Sequence, residues 1–247
     1  GVVDCREQAS GTLNPFSNMK IREAINWMID REYIAQELYG GLATPRYTML
    51  DTYVPDYARY APEVGAIIAN YGYNLDRAKA VVDAEMPAMG AEMGADGKWQ
   101  YKGKPVVVIG IIRTEDTRKL IGDYFANQLE QLGFTVDRQF KTRSEASPIW
   151  IGSVPQDCLW NYYTGGWIST IIDLDEGDMF AQYSTNRIQG IPMFEEYNPS
   201  PEYDVVLTKL QTNDFKDMAE RDALFAQALP MSMTESWHGA WVETESS

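Results

Sequence analysis

Residue types that commonly carry catalysis are thinly spread in this sequence. His238 is the single histidine, set late among Trp237, Gly239 and Trp241, where an imidazole beside aromatic rings more often packs than transfers protons. No G-x-S-x-G, G-x-x-x-x-G-K-S/T, G-x-G-x-x-G or H-E-x-x-H pattern occurs, so the usual nucleophile, phosphate-cradle and zinc signatures are missing. Thirty-six Asp and Glu residues leave a glycosidase-like carboxylate pair open without pointing to one. Asp173-Leu-Asp175-Glu176-Gly177-Asp178 begins like a calcium loop, but Phe180-Ala-Gln-Tyr183 does not supply the remaining oxygen ligands. It reads as a solvated acidic turn before a helix. The sequence carries no positive sign of an enzyme, a metal site or a cofactor.

Aromatic residues say more. Trp150, Trp160, Tyr162, Tyr163 and Trp167 fall within eighteen positions, interrupted by Gly165-Gly166. Alternate members of such a run are expected in the core of a strand. A strand that ends in Thr164-Gly-Gly-Trp167 also sets flat amphipathic rings where backbone approaches closely. That arrangement suits a binding cleft for an extended peptide or a sugar ring.

These residues need elements to hold them. Val106 to Ile112 is a β-branched run, the mark of a strand covered on both faces. Thr117 to Gln131 is amphipathic, Gly133 stops it and Phe134-Thr-Val136 opens the next strand. Strand, helix, glycine, strand is a βαβ crossover and predicts a parallel pair. Asn18 is the expected N-cap of a helix carrying Ile21, Ile25, Met28, Ile29 and Leu38 and ending at Gly40-Gly41. Leu42 to Tyr73, dense in Pro and Tyr, is expected to be irregular. Further helices are expected at Asp76 to Glu85, about Pro201 to Leu210 and about Met218 to Leu229. Asp96-Gly97 marks a hairpin turn, Cys158 to Tyr163 a candidate strand, and Trp241 onward a last strand. With no internal repeat and no dividing linker, the expectation is one α/β unit over residues 1–247.

Composition narrows the partners. Lys plus Arg is 21 against 36 Asp plus Glu, a net charge of −15 with a pI near 4.5. Such a field repels phosphate backbones and an anionic leaflet, so neither nucleic acid nor a membrane surface is an expected partner. The longest apolar runs are too short to span a bilayer. Cys5 and Cys158 are too few for a disulfide framework or a four-ligand zinc site. They read as two buried thiols or, if their strands are neighbours, one bridge.

The residues then match a family. Asn14-Pro-Phe-Ser-Asn-Met-Lys-Ile-Arg-Glu-Ala-Ile-Asn-Trp-Met-Ile-Asp-Arg31 resembles the P-F-x-D-x-R-V-R-x-A-x-x-x-A-I-D-R segment of extracellular solute-binding proteins of family 5. These are the oligopeptide-, dipeptide- and nickel-binding receptors of ABC importers. Gly40-Gly-Leu-Ala-Thr-Pro45 is similar to the family's G-x-A-x-P, and Tyr73-Asn-Leu-Asp-Arg-Ala-Lys79 to its Y-D-P-x-K-A-K. Gln128-Leu-Glu-Gln-Leu-Gly-Phe-Thr-Val136 is similar to its Q-L-x-x-I-G-I-x-V, and Gly166-Trp167 to its late G-W.

The resemblance implies an α/β lobe of a type-2 periplasmic binding protein, a mixed sheet flanked by helices. All matched segments belong to the family's second lobe, so 1–247 is expected to be that lobe. Residues 1–12 and 235–247 would then lie near the strands that cross to the other lobe, and Gly1 in place of Met fits a processed or partial chain. The implied function is non-catalytic: an extracytoplasmic, monomeric receptor, periplasmic or lipid-anchored at the cell surface, that hands a small solute to ABC permease subunits. In oligopeptide receptors the G-W is followed at the third position by an Asp that pairs with the peptide ammonium. Here Ile168, Ser169 and Thr170 follow Trp167, and Asp173 substitutes only if the loop is rearranged. Thr164 stands where some peptide receptors have a basic residue. The expected ligand-binding set is Trp150, Tyr163, Thr164, Gly166, Trp167, Ser169, Thr170 and Asp173, serving an oligopeptide-like solute or, given the hydroxyls among the rings, an oligosaccharide. Nickel or haem is less supported by one late histidine. A ligand-sensing domain of a cytoplasmic transcriptional regulator and a carbohydrate-active enzyme are the remaining readings.

Overall fold

The computed structural model describes residues 5–8, 10–166, 177–184 and 186–244. The helices along the chain are α1 (Met19–Met28), α2 (Arg31–Tyr33), α3 (Pro55–Arg59), α4 (Ala61–Tyr71), α5 (Leu75–Ala88), α6 (Arg118–Gln131), α7 (Arg143–Gly152), α8 (Gly177–Ser184), α9 (Pro192–Glu195), α10 (Pro201–Gln211) and α11 (Met218–Glu235). The strands are β1 (Thr44–Pro45), β2 (Ala91–Met93), β3 (Trp99–Tyr101), β4 (Lys104–Pro105), β5 (Val107–Arg113), β6 (Thr135–Lys141), β7 (Tyr162–Tyr163) and β8 (Val242–Glu243). The chain divides into two compact units. The first comprises Gly1–Ile29, Asn74–Gly166 and Ile191–Met193, and the second Asp30–Tyr73, Trp167–Gly190 and Phe194–Ser247.

The first unit is built on β5. It pairs in parallel with β6 over seven positions, from Val107 opposite Thr135 to Arg113 opposite Lys141. On its other side it pairs in parallel with β7, Gly110 opposite Tyr162 and Ile111 opposite Tyr163. Helix α6 makes the crossover the sequence predicts, and Gly133, at φ +94°, turns the chain back into β6. Val108, Ile111 and Ile112 are fully buried, as a strand covered on both faces requires. A Cβ on Gly122 of α6 would lie 2.4 Å from Ile112 Cγ2, so this glycine sets the close approach of helix to strand.

The hairpin expected at Asp96-Gly97 joins β2 to β3 in an antiparallel sheet completed by β4. The Asn18 side chain accepts from Lys20 N–H at 2.9 Å and starts α1, and Asn74 starts α5 by accepting from Arg77 N–H at 2.9 Å. Cys5 and Cys158 form a disulfide, their Cα atoms 6.1 Å apart, so the bridge is formed and there are no free thiols.

The single helix expected from Asn18 to Gly40 is interrupted. Ile29 and Asp30 are extended, and the Asp30 carboxylate accepts from Tyr33 N–H at 3.0 Å to begin a second helical stretch. A side chain that favours caps competes here with the hydrophobic periodicity around it. The stretch ends at Gly40 and Gly41, both at positive φ, as expected.

The second unit corrects the expectation of an irregular Leu42 to Tyr73. Two helices lie there, because Pro55 and Pro62 occupy first-turn positions where a missing N–H costs nothing. In α4, Val64, Ile67 and Tyr71 are buried along one face. Tyr60 stacks on Phe225 of α11 with centroids 4.2 Å apart, and Arg221 holds Asp56 through two hydrogen bonds of 2.9 and 2.8 Å. Helix α11 runs past Leu229, through Pro230, to Glu235. There the carboxylate accepts from Tyr197 Oη at 2.6 Å and Ser200 N–H at 2.9 Å. Strand β8 is the expected last strand and pairs antiparallel with β1. No described helix is long and apolar enough to cross a membrane.

Candidate binding site

Open parallel sheets place ligands outside the carboxyl ends of their strands, and in the first unit those ends are Arg113 of β5, Lys141 of β6 and Tyr163 of β7. Strand β7 is only two residues long, so what fixes it is mostly side-chain chemistry. Asn161, just before it, donates its backbone N–H to Ile109 O at 2.8 Å and accepts Ile109 N–H on its side-chain oxygen at 2.7 Å. That oxygen also takes Gln8 Nε2 at 2.8 Å, while Asn161 Nδ2 donates to Asn14 Oδ1 at 3.0 Å. Asn14 in turn donates to the carbonyl of Cys5 at 2.7 Å, closing a buried relay beside the disulfide.

Within β7 the two tyrosines part company, as alternating strand residues must. Tyr162 lies across Gly110 and meets Phe125 edge-on at 4.6 Å. Its hydroxyl is buried with no hydrogen-bond partner among the described residues, and burial pushes its pKa well above the usual tyrosine value. Tyr163 turns the other way and stacks on Trp150 of α7, centroids 5.2 Å apart at 13°. Both rings pack with Ile109, Ile111, Ala146 and Trp160 on one face of the sheet. Helix α7, whose Ala146, Ile149 and Trp150 pack on this face, starts with a capping box in which Thr142 N–H donates to Glu145 at 2.8 Å.

Thr164 follows β7 and is buried. It donates its backbone N–H to Ile111 O at 3.1 Å, and its hydroxyl oxygen accepts Arg113 N–H at 2.9 Å, so it extends the sheet pairing with a side chain. Gly165 and Gly166 are exposed, and a Cβ on Gly166 would stand 3.3 Å from Arg118 Nη1.

Two ion pairs face this strand end. Arg113 Nε donates to Glu115 at 2.6 Å and its Nη1 to Tyr163 Oη at 3.3 Å. The other Glu115 oxygen accepts Arg143 N–H, at the start of α7, at 2.6 Å. That amide and the Arg113 guanidinium hold the Glu115 carboxyl below its ordinary range. Asp116 accepts Arg118 Nε at 2.8 Å, and that contact lowers its pKa likewise.

Of the residues expected from sequence, Trp150, Tyr163, Thr164 and Gly166 therefore belong to one constellation in the first unit. Trp167, Ser169, Thr170 and Asp173 lie outside the described residues. Arg113, Glu115 and Arg118 were missed, although a charged run directly after a β-branched strand was the available signal. Among the described residues no cluster of His, Cys, Asp and Glu could hold a metal ion. His238 belongs to the second unit, half-buried, with its pKa pushed down to about 4 by burial and by the Arg46 charge. The arrangement offers stacking rings, a glycine-flanked backbone and paired charges, which is equipment for holding a solute.

The family model described as "Bacterial extracellular solute-binding proteins, family 5 Middle" matches residues 10–188. No curated protein sequence matches the chain. Among solved structures, the chain is similar to lactococcal OppA in complex with an endogenous peptide, with TM-score 0.71 and 14% identity over 97% of this chain and 42% of that one. It is also similar to the oligopeptide-binding protein AppA of Bacillus subtilis in complex with a nonapeptide, with TM-score 0.63 and 18% identity over 89% and 40%. A third is the mannohexaose-bound periplasmic oligopeptide-binding protein of Thermotoga maritima, with TM-score 0.64 and 20% identity over 93% and 43%. The chain thus spans about two fifths of the length of the structures it matches, and the α/β fold is that of a lobe of a periplasmic binding protein.

Proposed function

The chain belongs to family 5 of the bacterial extracellular solute-binding proteins, and from that premise we propose that it is one lobe of the substrate-binding component of an ABC importer for oligopeptide-like solutes. The observation that carries this is the family match over residues 10–188. The stacked Trp150 and Tyr163 at the carboxyl end of a parallel sheet support it, because rings and strand-end backbone suit an extended chain. The ligand set is Trp150, Tyr163, Thr164 and Gly166 together with Trp167, Ser169, Thr170 and Asp173. Residues 1–247 form a single lobe of a two-lobed receptor, with 1–12 and 235–247 near the crossing strands. A solute that touches both lobes favours the closed form by its extra contacts. The protein is non-catalytic and monomeric, works outside the cytoplasmic membrane, free or lipid-anchored, and delivers its solute to permease subunits.

An oligosaccharide is the second reading, favoured by the mannohexaose held by the Thermotoga neighbour and by the flat rings here, which suit sugar faces. Native mass spectrometry of the full-length protein purified from its own host separates the two. A spread of peptide masses is expected; a hexose-spaced ladder moves the assignment to sugars, and a DNA-binding segment in the full-length protein would move it to a regulator. Trp167→Ala should weaken solute binding with the unfolding midpoint nearly unchanged. A large loss of stability at unaltered affinity would make Trp167 core instead.

A further inference from the structure

We infer that Arg113, with Glu115 as its neutralising partner, sets the charge selectivity of this site: it donates to an uncharged acceptor oxygen of the solute, a main-chain carbonyl, in preference to a free carboxylate. The inference rests on the peptide-receptor reading above and specifies what part of the peptide the site takes.

Arg113 is the last residue of β5, at the carboxyl end of the parallel sheet, on the same strand face as Ile109 and Ile111 and hence beside Trp150 and Tyr163. Its side chain is only 8% exposed. Nε is taken by Glu115 and Nη1 by Tyr163, while Nη2 makes no hydrogen bond among the described residues. A guanidinium held at two nitrogens has one edge left to offer, in a fixed direction. Its holder is itself held: the second Glu115 oxygen is fixed by Arg143 N–H at the start of α7. This is a donor prepared in advance, at low ordering cost for a solute.

The sign of the charge decides what it takes. Arg113 balances Glu115 at 2.6 Å and Arg118 balances Asp116, so each of the two ion pairs at the strand end is neutral. The Arg143 side chain is exposed, where water screens it. A solute carboxylate against the neutral Arg113–Glu115 pair would add an uncompensated negative charge at a buried guanidinium, within a chain of net charge −15. A carbonyl oxygen accepts the same N–H without a charge to desolvate.

The test uses the full-length protein and matched peptides of one sequence, as free acid and as C-terminal amide, measured by titration calorimetry. The unmodified protein is expected to bind the amide at least as tightly as the acid. Arg113→Met is expected to weaken the amide by about tenfold, the size of one charge-assisted hydrogen bond, and the acid by more, because the Glu115 charge is then unopposed. Glu115→Gln removes the neutralising charge and is expected to move the ratio about tenfold toward the acid. A merely structural Glu115 would leave that ratio alone. A preference of the unmodified protein for the acid, or a ratio unmoved by Glu115→Gln, overturns the inference while leaving the receptor reading intact. Failure of a peptide panel to bind in either form overturns the peptide reading and this inference with it.

Discussion

Replacing Gly110 by alanine puts a methyl carbon where Tyr162 already is. An ideal Cβ there lies 2.1 Å from Tyr162 Cζ, 2.3 Å from its hydroxyl oxygen and 2.5 Å from Cε1. The strand cannot retreat, because β5 is paired to β6 over its whole length and to β7 at this very residue. The ring must therefore leave its place against Phe125. Tyr162 is 8% exposed, and the burial it would forfeit is about 150–200 Å², or roughly 4 kcal/mol at about 25 cal/mol per Å². Gly110→Ala should thus cost about 3–5 kcal/mol, near the value for Tyr162→Ala itself. Once the ring is gone the new methyl has room, and alanine is better than glycine inside a strand by about 0.5–1 kcal/mol. The double variant should be no less stable than Tyr162→Ala, giving a coupling of about 3 kcal/mol or more in a double-mutant cycle. Urea denaturation followed by circular dichroism measures all four corners. Tyr162→Phe completes the set: its hydroxyl is buried and has no partner among the described residues, so its removal should be neutral or stabilising by up to about 1 kcal/mol. A cost below about 1 kcal/mol for Gly110→Ala, or costs that simply add in the double variant, would refute the close-approach argument.

The Cys5–Cys158 bridge closes a loop of sequence separation 153, for which the chain-entropy relation gives roughly 5 kcal/mol as an upper figure. The urea midpoint should fall sharply with reductant, and no change would show that the bridge does not constrain the unfolded chain. His238, folded at about 4 against an ordinary 6.5, is held neutral, so its contribution is complete above pH 6.5 and is lost as pH falls toward 4. That difference corresponds to at most about 3 kcal/mol, and it should appear as a flatter stability-versus-pH curve between 6.5 and 4 for His238→Gln. Parallel curves for the two proteins would remove burial as the cause.

How far each feature could be read from the sequence depends on the range of the interactions that make it. The crossover β5–α6–β6 was legible because a β-branched run, an amphipathic stretch and Gly133 are each local signals that agree. Asn18 as a cap was legible for the same reason. The break at Ile29 and Asp30 was not, since Asn74 N–H reaches Trp27 O from 47 residues away at 2.8 Å, and the Asp30 carboxylate then caps a new helical turn. Pro55 and Pro62 read as breakers, although at first turns they start helices instead. Trp150 and Tyr163 were both singled out, but their stacking depends on α7 folding back over the sheet, which spacing along the chain does not encode. The bridge between Cys5 and Cys158 is the extreme case, a distance set by the entire first unit.

The same long-range bonds explain how so short a strand can carry a site. Two residues of pairing give β7 too few backbone hydrogen bonds to hold a register alone, and an edge strand slipped by one residue exchanges its faces. Such a slip would put Tyr162 on Trp150 and leave Tyr163 against Gly110. The register is pinned at both ends instead, by Asn161 bonding both polar backbone groups of Ile109 and by Thr164 bonding Ile111 O and Arg113 N–H. Neither side chain has a charge, and both are at least nine-tenths buried, so their bonds are not exchanged with water at low cost. Asn161 is tied through Asn14 to the carbonyl of a disulfide cysteine. Tyr163, which stacks on Trp150 and accepts from Arg113 Nη1, therefore depends on a strand anchored at its start by Asn161, a residue outside the proposed ligand set. Changes at Asn161 should alter binding as strongly as changes at the rings.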